Sequence, residues 1–263
     1  MRFAVTHSTA YRYSTPVMLE PHIFRMRPRS DGSQKLIDYQ LLISPTPAGR
    51  SEYLDAEGNS VEQAWFNRPL DTLHVSSRFI LDTLRENPYD FLLPPVSQLE
   101  LQVTGPGPVA DFARELAREA GDQTMPFLDL LVGRLFRDWR YVIREYGGAM
   151  PAAETLASGE GSCRDFAVLF SEACRAVGLQ SRFVSGYEMS SADSTQPSMH
   201  AWSEVYIPGG GWRGYDATHG VAVGATHVAV AAAIDPAQAA PVTGSYRGAA
   251  TSAMDVAIQM QVS

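Results

Sequence analysis

One of the two cysteines of this 263-residue chain lies where a helix is expected to begin. Residues 159–170 read GEGSCRDFAVLF, in which Ser162 is a favourable N-cap residue and an apolar run follows Cys163. A helix N-terminus and a neighbouring cation such as Arg164 both favour the thiolate, which is the nucleophilic form of cysteine. This position predicts a catalytic nucleophile at Cys163. Cys174 lies about three turns further along the same helix among apolar residues, which indicates a core position.

A cysteine nucleophile needs a general base, and the base needs a group that orients it. His200 begins the alternating segment HAWSEVYI, and Asp216 ends the segment GWRGYD, with a Gly-rich turn between the two. If Ile207 pairs with Trp212 across that turn, the two polar residues lie a few positions apart, and a bulge or a small register shift brings them into contact. We therefore expect His200 to be the base and Asp216 to fix its tautomer.

The sequence leaves two alternatives to this triad, which are another histidine as the base and a metal site. His219 and His227 follow the same strands, but His219 lies only three residues past Asp216, which is awkward on one strand. Cys163, His200 and Asp216 could chemically hold zinc, but their spacing matches no closed zinc motif. The sequence also lacks the loop of clustered carboxylates that is typical of a calcium site. We therefore expect neither a metal nor a cofactor.

The elements that would position these residues divide the chain near residue 104. Residues 1–103 alternate apolar and polar positions in segments separated by turn residues, which predicts an N-terminal antiparallel β-sandwich-like domain. Residues 104–263 predict a core in which helices come first and antiparallel strands follow, with a C-terminal return strand. The fold class is therefore α+β. The predicted helices, of which the third is short, are 109–120, 126–139, 151–157 and 162–177.

Composition and charge exclude several classes of protein. The net charge of −8 provides no basic field for phosphates, so nucleic acid is not expected as a partner. No run of about 18 apolar residues occurs, which argues against a membrane-spanning helix. The N-terminal segment alternates apolar and polar residues instead of resembling a signal peptide, so we expect a cytoplasmic protein. The sequence does not indicate an oligomeric state.

Several blocks of the sequence resemble the transglutaminase-like superfamily, which shares a papain-like cysteine-enzyme core. The blocks around the triad are GSCRDFA at 161–167, HAWSEVY at 200–206 and GWRGYDAT at 211–218. Those similar to the bacterial two-part subfamily are YRY at 11–13, RMRP at 25–28, DAEGN at 55–59 and PVTGSYRG at 241–248. The chain departs from the usual pattern after the aspartate, where Ala217 and His219 stand in place of proline and asparagine.

The resemblance implies that Cys163, His200 and Asp216 are the nucleophile, base and orienting residue of a cysteine-dependent acyl transfer on amide bonds. Hydrolysis of a protein or peptide substrate, as by a cysteine peptidase or amidase, is the expectation. Transglutaminase-type transamidation and a catalytically silent binding module on the same fold are the alternatives. The aromatic residues expected to line the substrate pocket are Trp202, Trp212 and Tyr146.

Overall fold

A computed structural model of the chain describes residues 1–93, 101, 105–144, 147–190 and 197–263. Within these residues, the N-terminal part forms two antiparallel sheets, and the part after residue 107 places four helices beside a third antiparallel sheet. This arrangement confirms the predicted α+β fold class. None of the helices in the described part of the chain has both the length and the apolar character needed to cross a bilayer.

The two longest strands of the N-terminal sheets alternate buried and more exposed residues over most of their length. The first strand shows this clearly, because Phe3, Val5 and His7 are buried while the residues between them are partly exposed. The strands of this part are β1 (Arg2–Leu19), β2 (His22–Phe24), β3 (Gln34–Ser44), β4 (Gly49–Leu54), β5 (Ser60–Trp65) and β6 (Leu70–Thr83).

The helices of the core share one hydrophobic cluster with the third sheet. In chain order, the helices and short strands that precede this sheet are α1 (Pro108–Glu119), α2 (Thr124–Asp138), β7 (Arg140–Tyr141), α3 (Ala152–Ser158), β8 (Glu160–Gly161) and α4 (Cys163–Ala176). The sheet has the order β12-β11-β10-β9-β13. Its strands are β9 (Ser181–Glu188), β10 (His200–Ile207), β11 (Gly211–Asp216), β12 (Val221–Ala222) and β13 (His227–Ala233).

The last helix, α4, packs directly on the middle of this sheet. The hydroxyl of Ser203 in β10 donates to the carbonyl of Ala167 at 2.7 Å. The rings of Phe170 and Tyr215 stack with their centroids 5.5 Å apart. These contacts fix the first turn of α4 relative to the ends of β10 and β11.

The C-terminal segment returns to the N-terminal sheets. Its strands are β14 (Val242–Thr243), β15 (Tyr246–Arg247) and β16 (Ser252–Val262), of which β14 pairs with β2 and the other two pair with β1. One sheet then has the order β15-β1-β6-β3 with β16 also on β1, and the other has the order β14-β2-β5-β4. A hydrophobic cluster that includes Phe24 and Leu73 contains residues of both sheets, as in a β-sandwich.

Two side-chain amides join the N-terminal sheets to β13. Gln34 donates from Nε2 to the carbonyl of Ala229 at 2.8 Å and accepts the Ala229 N–H at 2.9 Å. Asn59 forms the same two bonds with Ala232, at 2.7 and 2.8 Å. Since β13 is an edge strand that pairs with β9, the amides satisfy buried backbone groups on its other side.

Replacing Asn59 with Ala is therefore expected to lower the free energy of unfolding by about 1–3 kcal/mol, because buried backbone groups of Ala232 lose their partner. Urea denaturation at neutral pH measures this change. Asn67 is exposed, so Asn67→Ala is the matched control, with an expected change within about 0.5 kcal/mol. Equal unfolding curves for the two variants would contradict the proposed role of the Asn59 amide.

Candidate active site

The N-terminus of α4 is held by hydrogen bonds around the buried carboxylate of Asp165. This carboxylate accepts the backbone N–H of Ser162 at 2.8 Å and its hydroxyl at 2.7 Å, as in a capping box. It also accepts Nη2 of Arg144 at 2.9 Å and the backbone N–H of Met150 at 2.7 Å. Burial alone would raise the pKa of Asp165, but these bonds lower it below its ordinary value. Cys163, the first residue of the helix, is partly exposed beside this fixed turn.

The register of β10 against β11 places His200 and Asp216 on the same face of the sheet. Tyr206 lies opposite Trp212. The sequence-based pairing of Ile207 with Trp212 is wrong by one residue, because the hairpin loop is one residue shorter than expected. A shift of one residue moves every side chain of a strand to the other face. The observed register brings Nε2 of His200 to 2.8 Å from Oδ2 of Asp216.

His200 connects this carboxylate to the cysteine. Cys163 lies close enough to His200 for its side chain to help raise the pKa of the imidazole, and Nδ1 is the ring nitrogen that Asp216 does not engage. Burial alone would lower the pKa of His200, but its interactions with Asp216 and Cys163 raise it to about 10. His200 is therefore cationic at neutral pH.

A single carboxylate oxygen of Asp216 has three imidazole neighbours. Besides His200, Oδ2 lies 2.7 Å from Nδ1 of His219 and 3.0 Å from Nε2 of His227. Burial alone would raise the pKa of Asp216, but the three imidazoles hold it well below its ordinary value. The hydrogen bond with Asp216 also raises the pKa of His219, although partial burial opposes the shift. Asp216 is therefore charged and shared by three rings.

The structure brings both alternative histidines to the same carboxylate. His219 lies in the turn after β11, so its ring folds back on Asp216, and a separation of three residues is natural there. His227 begins β13, which lies beyond β10 and β9 in the sheet order. The sequence carried no signal for the approach of His227, because strand order decides it.

Of the aromatic residues expected to line the pocket, Trp202 contacts the histidines. Its ring is 2% exposed and stacks near the His200 ring, with centroids 6.3 Å apart. It also meets His227 edge to face at 5.1 Å. Trp202 is therefore buried against the histidine cluster, and its role in lining the substrate pocket remains a prediction.

The other two aromatic residues have different outcomes. Trp212 lies near the opposite end of β11 from Asp216, with the guanidinium of Arg182 over its ring at 4.1 Å. There it lines an open groove of about 890 Å³ between the N-terminal part and the core. Tyr146 lies outside the described residues. A role in lining the substrate pocket remains a prediction for Trp212 and Tyr146.

Tyr141 is a neighbour of the site that the sequence did not single out. It belongs to β7 and lies opposite Gly161 of β8, just before α4. Its side chain is 46% exposed, and its ring meets Phe166 edge to face at 6.4 Å. Burial raises the pKa of Tyr141, and the charges of Cys163 and Asp216 raise it further, so the phenol stays neutral. A strand of two residues is too short for a recognisable sequence pattern.

Two known families match separate parts of the chain. Residues 3–82 match the family described as the bacterial transglutaminase-like N-terminal region. Residues 110–217, which include Cys163, His200 and Asp216, match the transglutaminase-like superfamily. The two matches therefore identify a bacterial transglutaminase-like N-terminal region followed by a region of the transglutaminase-like superfamily.

Relatives extend the likeness over nearly the whole chain. An uncharacterized protein of Mycobacterium tuberculosis is 28% identical in an alignment of 289 positions, which covers 98% of this chain and 92% of the relative. One of Mycobacterium leprae is 26% identical over 283 residues, covering 98% of each chain. A solved structure of a "Putative Cysteine Protease" from Cytophaga hutchinsonii has a TM-score of 0.70 at 23% identity, covering 100% of this chain and 91% of its own. This structural likeness shows that the two chains share a fold.

Proposed function

We propose that this protein is a cysteine-dependent acyl-transfer enzyme that hydrolyses amide bonds in a protein or peptide substrate. Cys163 is the nucleophile, His200 is the general base and acid, and Asp216 orients the imidazole. The observation that carries the proposal is the placement of His200, whose Nε2 lies 2.8 Å from Oδ2 of Asp216 while its ring is close enough to Cys163 for the two side chains to interact. The superfamily match supports a cysteine-enzyme core.

In the proposed reaction, the thiolate of Cys163 attacks the amide carbonyl carbon, and the carbon–nitrogen bond then breaks. The cationic His200 gives its Nδ1 proton to the departing amine, which leaves a thioester on Cys163. The neutral imidazole next takes a proton from a water molecule whose oxygen attacks the thioester. The carboxylic acid product departs, and the thiolate and the imidazolium are restored.

The negative charge that develops on the carbonyl oxygen needs hydrogen-bond donors. The backbone N–H of Cys163 lies in the first turn of α4, where backbone donors have no acceptor within the helix. The positive end of the helix dipole also favours a negative charge at this place. The first turn of α4 can therefore favour both the thiolate and the oxyanion.

Hydrolysis and transamidation share the thioester and differ in the group that attacks it. Cys163 is partly exposed, so water can reach the acyl group, and this exposure supports hydrolysis. Turnover of a peptide amide in the presence of a primary amine distinguishes the two reactions. Hydrolysis releases the carboxylic acid, whereas transamidation yields the new amide.

The first test is the rate of iodoacetamide alkylation against pH, followed by intact mass and peptide mapping. Cys163 should react rapidly near pH 6, where an isolated thiol with a pKa of about 8.5 reacts slowly. In His200→Ala this fast reaction should be lost, because the neighbouring cation is gone. Cys163→Ser should remain almost unlabelled, since Cys174 is fully buried.

A slow, ordinary reaction of Cys163 that does not change in His200→Ala would overturn the proposal. That result would favour a binding module on the same fold, because a thiol without its ion-pair partner is a poor nucleophile at neutral pH. Thermal unfolding of each variant shows whether the fold is retained.

A further inference from the structure

Four side chains at the ends of β10, β11 and β13 bring atoms suited to metal coordination together. His200, Asp216, His219 and His227 each offer one ligand atom, and these atoms all lie within 4.8 Å of one another. The nitrogens that contact Oδ2 of Asp216 are Nε2 of His200, Nδ1 of His219 and Nε2 of His227. A carboxylate oxygen offers about two lone-pair sites, so three imidazole neighbours exceed what its hydrogen bonding requires. Three imidazole nitrogens and one carboxylate oxygen are a donor set that Zn²⁺ binds tetrahedrally, at about 2.0–2.2 Å.

The hydrogen bonds behind these atoms are of the kind that orients metal ligands. Nδ1 of His227 lies 2.9 Å from the hydroxyl of Thr226, which leaves Nε2 for the cluster. Oδ1 of Asp216 accepts the backbone N–H of Thr218 at 2.8 Å, which leaves Oδ2. Such partners fix the tautomer and direction of the coordinating groups. The side chain of His219 is 41% exposed, so an ion can enter from the solvent on that side.

We propose that His200, Asp216, His219 and His227 form a binding site for a divalent transition-metal ion of the Zn²⁺ type. Nitrogen-rich donor sets favour zinc over calcium or magnesium, which prefer oxygen ligands. On binding, four metal–ligand bonds form, and the protons that the imidazoles direct at the carboxylate pass to solvent. The oxidation state of the metal does not change on binding.

The metal and the proposed acyl transfer exclude each other, and this second half of the inference rests on the proposed function. The reaction needs the His200 ring oriented by Asp216 through Nε2. Coordination takes that nitrogen and that carboxylate, so His200 loses the partner that orients it beside Cys163. The ion is therefore a reversible inhibitor that blocks the base of the site and leaves the cysteine uncoordinated.

Calorimetric titration of ZnCl₂ into the chelator-treated full chain, with metal content measured after gel filtration, tests the site directly. We expect one ion per chain. His219→Ala should weaken binding at least about tenfold, because it removes a ligand. His74→Ala changes an exposed histidine of β6 and should bind like the unchanged protein. Cys163→Ser should also retain binding, whereas a zinc ion held by Cys163 and His200 would be lost in it.

A second variant guards against a folding defect in His219→Ala. Thr226→Val keeps the side-chain shape but removes the partner of His227, and should weaken binding by about 10- to 100-fold. Absence of saturable Zn²⁺ binding would overturn the proposal and leave only a hydrogen-bonded cluster of three histidines around Asp216. Binding that is lost in Cys163→Ser, or unchanged in both His219→Ala and Thr226→Val, would also overturn it.

Alkylation of Cys163 separates this inference from the proposed function. Stoichiometric Zn²⁺ should slow iodoacetamide labelling at pH 7, and EDTA should restore it. If zinc binds as expected but the metal-free protein shows no fast labelling, the metal site stands and the proposed catalytic function fails. If labelling is fast but Zn²⁺ at saturation does not slow it, the inhibitory role is overturned.

Discussion

Replacing Asp216 with Asn is expected to lower the proposed acyl transfer by about 10²- to 10⁴-fold, the range that general acid–base catalysis contributes. Asn keeps the size of the side chain and removes its charge. The hydrogen bond and charge of Asp216 are the main contributions that raise the pKa of His200 to about 10 against the effect of burial. Without them His200 loses its proton at lower pH, and the thiolate of Cys163 loses its neighbouring cation.

The pH dependence of Cys163 alkylation reports this change without a natural substrate. In the unchanged protein, His200 remains cationic over the neutral range because its pKa is raised. In Asp216→Asn the pKa of His200 should fall toward its ordinary value of about 6.5. Labelling near pH 6 to 7 should therefore become slow and increase only as the pH rises toward the range of an isolated thiol.

Asp71→Asn is the matched control, because it makes the same change at an exposed aspartate. This variant should keep the alkylation rate and the pH profile of the unchanged protein. If Asp216→Asn is folded and keeps the alkylation rate and the pH profile of the unchanged protein, the carboxylate has no part in activating Cys163. Circular dichroism and thermal unfolding establish that each variant is folded.

Replacing Glu204 with Ala is expected to lower the free energy of unfolding by about 3–5 kcal/mol, the usual cost of removing one partner of a buried ion pair. Arg182 donates to Oε2 of Glu204 from Nε at 2.9 Å and from Nη2 at 2.8 Å. Arg29, which precedes β3, donates from Nη1 to Oε2 at 3.1 Å and from Nη2 to Oε1. All three side chains are at most 10% exposed, so the variant leaves two buried guanidinium groups without this carboxylate.

The same ion pairs predict a dependence of stability on pH. Burial alone would raise the pKa of Glu204, but Arg29 and Arg182 lower it to about 2. In the unfolded chain the ordinary value of about 4.3 applies. A carboxyl group whose pKa is lower in the folded state contributes its full stabilisation at pH values above its unfolded-state pKa. This contribution is lost as the pH falls toward 2. The stability difference between the unchanged protein and Glu204→Gln should therefore be smaller at pH 3 than at pH 7.

Chemical denaturation at the two pH values measures both effects. The control is Asp255→Ala, which breaks the ion pair of Asp255 with Arg12, in which both side chains are more than 60% exposed. An exposed pair contributes about 0–1 kcal/mol, so this variant should unfold almost like the unchanged protein. A Glu204→Ala variant that is no less stable than Asp255→Ala would show that the ion pairs of Glu204 with Arg29 and Arg182 do not stabilise the folded chain.

The elements of this protein follow largely from local sequence. The helix that begins at Cys163 was predictable because an N-cap residue and apolar periodicity act within a few turns. The alternation in β1 likewise indicated a strand with one buried face. The alternation in β10 indicated a strand, but both faces of that strand are largely buried. The predicted helices agree with the observed helices to within two residues at each end.

The relation between the site residues was decided by the tertiary structure. His200 shares a face with Asp216 only in the observed hairpin register, and the length of a short loop sets that register. His227 reaches the same carboxylate because β13 lies in the same sheet, beyond β9. Nothing in the local sequence encodes that neighbour, since the order of strands depends on packing of the whole chain.

The sequence by itself determined the residue types, the helix start at Cys163 and the resemblance to the superfamily. The tertiary structure decided that one carboxylate is shared by three imidazoles and that Glu204 joins Arg29 to Arg182. The physical reason is the range of the interactions. Capping and periodicity act between residues close in sequence, whereas burial, register and charge pairing act between residues that meet only when the sheets are packed.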